Sequence, residues 1–210
     1  MIGTPADVPE ELVPVDDLYL PLGPGKEVGV RCYRALLHGC PDKPAISLDR
    51  AWAAKPLVLV EKQAVFPELA VLSFFRRKGW DGAWADLAHR KYFDRMPNQS
   101  KGISLSSHAT QAISRISQYS DDGRLGCWDL VLWAERAVAF AAVIAMPDAG
   151  EGAGSRPAAA EALGEHRIRW LGAAVKSGMS AAQFAVVQWN YRSVVVRRRR
   201  GAHGGARPLP

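Results

Sequence analysis

Residues 127–148 read CWDLVLWAERAVAFAAVIAMPD, and the fold turns on how that stretch is read. Residues 130–133 and 138–146 are apolar runs rich in Val, Ile and Trp, separated by the charged pair Glu135-Arg136. Short apolar runs of this kind around a polar break predict a β-hairpin of buried strands. A carboxylate, Asp129, opens the first strand beside Trp128.

Working outward, the stretch resembles the VRR-NUC branch of the PD-(D/E)XK nucleases. There an acidic residue in a pDLvvw run precedes a strand F-x-E-x-K, then G-x-G-D, then a helix carrying Q-x-x-W-L. The resemblance puts the acidic residue at Asp129, the Phe at Phe140, the Glu at Ala142, the Lys at Ile144 and the late Asp at Asp148. Trp170 and Leu171 match W-L, while Arg167 stands at the Gln position. An early helix beginning near Glu68 is similar too, and Gly79-Trp80-Asp81-Gly82-Ala83-Trp84 matches the family's GW-x-G-x-W.

That likeness implies catalytic remnants at Asp129 and Glu68, and metal ligands at Asp129, Glu68 and Asp148 for Mg²⁺. Phosphodiester cleavage with Mg²⁺ needs hard oxygen ligands, and carboxylates on adjacent strands are the usual supply. A Lys two residues beyond the Glu shares its strand face and can orient the attacking water. Ala142 and Ile144 provide neither function. The expectation is therefore a nuclease fold that binds nucleic acid, DNA in the first instance, without cleaving it. Two alternatives stand beside it: an active Mg²⁺-dependent nuclease whose missing Glu comes from Glu135 or Asp148, and a protein-interaction scaffold.

Composition sets the outer bounds. With 210 residues, 48% hydrophobic, and seven Trp, the chain can bury one full core. Its beginning does not resemble a secretory leader and no apolar run approaches a membrane span, so a soluble cytoplasmic protein, free or associated with the nucleoid, is expected. Cys32, Cys40 and Cys127 are widely spaced with no CxxC, which favours reduced thiols over disulfides or zinc. Net charge is +6, and residues 192–210 carry six Arg and no acid, so everything before Arg192 is neutral by count. The run Arg197, Arg198, Arg199, Arg200 is a basic tail suited either to phosphate backbones or to solubility.

In chain order, residues 1–60 are expected to be an arm with short helices. Proline and acids make 1–30 an extended segment, residues 28–40 a short helix ending at Gly39, 40–56 a loop with a helical piece, and 57–60 a strand or helix approach. Residues 66–78 predict the clearest helix, with Pro67 in its first turn and Gly79 ending it. From Arg76 to Lys101 seven basic residues face three Asp, interleaved with Trp80, Trp84, Tyr92 and Phe93. This stretch is the expected binding surface within the fold, through Arg76, Arg77, Lys78, Arg90 and Lys91, with Arg167 added from the late helix.

Residues 104–120 predict a polar helix with Ala112, Ile113 and Ile116 inward and His108 solvated. Residues 149–160 are a low-complexity insertion, 161–177 a helix with Ile168, Leu171, Ala174 and Val175 inward, and 182–187 with 194–196 a closing strand and its extension. The elements give an α/β fold, a mixed central sheet with a β-hairpin core flanked by helices, restriction-endonuclease-like by the resemblance. It occupies residues 61–191, before a tail at 192–210.

Overall fold

The computed structural model describes residues 8–40, 52–121, 127–146 and 159–192. Its regular elements are β1 (Val13–Gly23), β2 (Lys26–Gly39), β3 (Val58–Val60), β4 (Gln63–Val65), α1 (Pro67–Arg77), β5 (Asp81–Asp86), β6 (Lys91–Phe93), α2 (Ser107–Ser117), β7 (Leu130–Ala134), β8 (Ala137–Ala145), α3 (Ala159–Leu163), α4 (Glu165–Lys176) and β9 (Phe184–Arg192). One mixed sheet runs β4-β3-β2-β9-β8-β7-β5-β6, with β1 also on β2. β9 lies parallel to both β2 and β8, and the other pairings are antiparallel. The fold is thus α/β, a large mixed sheet flanked by a few helices, and among the described residues no helix is long and apolar enough to cross a membrane.

The hairpin at the centre is β7 and β8, paired from Leu130↔Ala141 to Ala134↔Ala137. Glu135 turns the chain at φ 49°. Helix α1 forms as its periodicity predicts: Pro67 pre-sets the first turn, the apolar face from Leu69 to Phe75 is buried, and Gly79 at φ 84° carries the chain away. Helix α2 buries Ala109, Ala112, Ile113 and Ile116 and leaves His108 exposed.

The arm and short helix expected before residue 60 are replaced by two long strands. Residues 28–40 belong to β2, which joins the sheet centre through eight parallel pairs with β9. The helix expectation failed because β2 changes the face it buries. Val30 and Cys32 enter the cluster beneath α2 and α4, whereas Tyr33, Ala35 and Leu37 enter the one beneath α1. A strand that switches faces shows no clean period of two. β1 hides its character behind Pro14, Pro21 and a register shift between Val15 and Leu18, yet Leu20 is completely buried.

Two further expectations are corrected. The single helix over 161–177 is broken at Gly164, whose φ of 80° separates α3 from α4. The closing strand does not stop at Val187 but continues through Trp189 to Arg192. The insertion at 149–160, save its last two residues, and the extension at 194–196 lie outside the described residues, as do 41–51 of the expected loop.

The core forms two apolar layers, one on each sheet face. Phe66, Leu72, Phe75, Trp84, Leu130, Leu132 and Val187 pack under α1, and Ile113, Trp128, Phe140, Trp170, Leu171 and Phe184 under α2 and α4. Phe140 stacks on Phe184 at 5.3 Å, and Trp170 meets Phe140 edge-on at 5.0 Å.

Candidate functional site

The first turn of α1 and the start of β7 bring Glu68 and Asp129 into one electrostatic neighbourhood. Glu68 sits at the second position of α1, which buries it to 8% exposure. Lys55 Nζ donates to its Oε1 at 2.6 Å, while Oε2 is buried with no hydrogen-bond partner. Burial pushes the Glu68 carboxyl above its ordinary value, and the charge of Asp129 pushes it the same way against the pull of Lys55. Lys55 is held from beneath by aromatic rings, its Nζ lying 5.0 Å from the ring centre of Trp84 and 5.5 Å from that of Phe66.

Asp129 is placed where the β7–β8 ladder ends. Its register partner would be Ala142, one step beyond Leu130↔Ala141, but the strands part there and the Asp129 carboxylate takes over. Oδ2 accepts the Val143 N–H at 2.8 Å, and Oδ1 accepts from Arg167 Nη2 at 2.6 Å. Arg167 is fixed in turn by donating Nη1 to the Leu163 carbonyl, and its own carbonyl accepts from Trp128 Nε1. Asp129 is therefore a brace between β7, β8 and α4.

Ala142 and Ile144 share one face, as period two requires, and that face is closed. Both are buried in the layer with Val131, Phe140, Trp170 and Phe184. Glu135 cannot replace the missing carboxylate, because it lies at the opposite end of β7, roughly 20 Å away for six residues of strand. Asp148 lies outside the described residues. Lys62 sits exposed in the β3–β4 turn at φ 68°.

The donor set does not fit Mg²⁺. A hard cation wants about six oxygens with spare negative charge, and here each carboxylate is already neutralised by a protein cation at 2.6 Å. Among the described residues no group of three or more His, Cys, Asp or Glu could hold a metal ion.

The basic residues expected on a binding surface divide into three sets. Arg76 is a staple, donating to the Asp94 carbonyl, the Gly82 carbonyl and the Asp81 carboxylate. Arg77 pairs with Glu11 and Lys78 with Glu10, both pairs at the surface, and Arg167 is committed to Asp129. Arg90 and Lys91 are exposed at the β5–β6 turn. Arg197 to Arg200 lie outside the described residues. The aromatic platform expected alongside them is corrected: Trp80, Trp84 and Phe93 are core residues and Tyr92 is half-buried, so their rings pack rather than stack on bases.

Two clusters escaped the sequence reading. Lys55 lies in a stretch that reads as loop and carries no local signal. Asp86 is buried at 5% and collects Trp52 Nε1 at 2.9 Å, His89 Nδ1 at 2.6 Å and the Ala88 N–H at 3.1 Å. Its only sequence trace is the D-L-A-H spacing, which suits a carboxylate folding back on its own turn. Comparison of the chain with family models, curated proteins and solved structures gives no match in any of the three.

Proposed function

We propose that this protein is a nuclease-fold domain of VRR-NUC type, restriction-endonuclease-like in architecture, that binds DNA without hydrolysing it. One observation carries the reading. The carboxylates at the two family positions, Glu68 and Asp129, come together, yet each is neutralised by a lysine or arginine of the chain, and the E-x-K positions are apolar core. The scaffold that would hold the chemistry is supported by the order α1, β5, the β7–β8 hairpin, α4, β9. Binding draws on the exposed Arg90 and Lys91 and on the arginines beyond Arg192, through contacts with backbone phosphates.

Fluorescence anisotropy with duplex, branched and single-stranded DNA, run over a salt series and paired with a gel assay in Mg²⁺, tests this. Salt-dependent binding with intact DNA is the expected result. Cleavage that requires Mg²⁺ would replace the reading by that of an active nuclease. Absence of binding to every DNA would leave the scaffold reading, which the exposed Val13, Tyr19, Leu36 and Tyr191 favour.

A further inference from the structure

The environment of Lys55 has the composition of a receptor for an organic cation. Its ammonium faces a carboxylate, Glu68, and lies within 5.5 Å of the rings of Phe66 and Trp84, both buried. Carboxylate plus aromatic faces is the chemistry that selects ammonium, because ring quadrupoles attract a cation yet offer no lone pair to a hard metal. The carboxylate is nine-tenths buried, and its second oxygen has no partner. The host half of the site comes from the core, while the guest arrives on a short connecting segment.

That segment is fastened independently of the ammonium. Trp52 Nε1 donates to buried Asp86, its ring lies 4.4 Å from that of His89, and the Lys55 N–H closes a turn onto the Trp52 carbonyl. The lysine is delivered by a strap with its own anchor, so the site's occupancy does not depend on the ammonium contact alone.

We propose that Phe66, Trp84 and Glu68 form a binding site for a primary alkylammonium, filled in this chain by its own Lys55 as a tethered ligand. The tether supplies an effective concentration of at least roughly millimolar order, so a free amine competes poorly while Lys55 is present. Removing the side chain vacates the site for an amine from solution. The geometry of the site alone supports this assignment, whether or not the protein binds DNA.

The test uses the full chain with n-butylammonium chloride as probe and sodium chloride at equal ionic strength as reference. Lys55→Ala should melt below wild type and regain a saturable rise of about 2–4 °C with the amine, the order of shift that weak binding gives a chain of this size. Wild type and Lys55→Ala/Glu68→Gln should show no such rise. A rise that survives Glu68→Gln, no rise in Lys55→Ala, or a response to Mn²⁺ in place of the amine would each overturn the assignment. Should Lys55→Ala not fold, reductive methylation of wild type followed by peptide mass spectrometry decides: Lys55 should react at least about tenfold more slowly than the exposed Lys62 and Lys91, since its amine must leave the carboxylate first. Equal rates would sink the proposal.

Discussion

In the sequence Asp129 is a strand-end carboxylate without its usual partner carboxylate, which suggests that its removal alters stability only slightly. Its two bonds say otherwise. Asp129→Ala strands the Arg167 guanidinium and the Val143 N–H in a largely dry site, so a loss of about 2–4 kcal/mol is expected in denaturant unfolding. Glu68 gives a second prediction with a definite sign. Its folded-state pKa is raised above the ordinary 4.5, so the folded protein binds a proton that the unfolded chain releases. The stability this contributes is fully present below pH 4.5 and is lost as pH rises through the raised value. Glu68→Gln should flatten that descent in a series of melting curves, and an unchanged slope would move its origin to another group. Cys32 stays a thiol throughout the physiological range, because burial pushes it up to about 11.

At the level of elements, what could be read and what could not have separate physical causes. The β7–β8 hairpin and α1 were legible because each buries one continuous set of residues bounded by clear breakers. β2 was not, since Cys32 and Tyr33 are neighbours in sequence and both buried, on opposite faces. Of the site, Glu68 and Asp129 could be named in advance. Lys55 could not, because its role follows from a fold-back over thirteen residues that no local pattern records. Gly82 shows what a motif glycine does here: a Cβ would lie 2.8 Å from Leu72, from Leu132 and from the Val131 carbonyl, where α1 crosses β5 and β7. Gly82→Ala should therefore cost about 1–3 kcal/mol in thermal or chemical melts. Ala142→Glu with Ile144→Lys, the change that would write the E-x-K of the nucleases the stretch resembles, should cost several kcal/mol and unfold the domain in a melting curve, because both side chains point into the layer around Phe140 and Trp170. A folded double variant that binds Mg²⁺ would reverse that account.

For the whole molecule, charge and edges matter more than any single side-chain pair. The net +6 equals the charge of residues 192–210, so under the proposed function DNA affinity is expected to follow the tail. Deleting residues 197–210 should weaken binding and flatten the salt slope by about 0.9 for each phosphate that the arginines no longer neutralise. An unchanged slope would assign the arginines to solubility. The sheet's outer strand has a different bearing, on how copies of the chain behave when crowded. β1 pairs with β2 alone among the described strands, and Pro14, Pro21 and the shift between Val15 and Leu18 deny a newcomer a continuous row of donors. Beneath it lies β2, 14 residues long and free of proline, which is an open template once β1 peels away. Loss of β1 alone exposes that template, and the two prolines act as gatekeepers only while the strand stays in place.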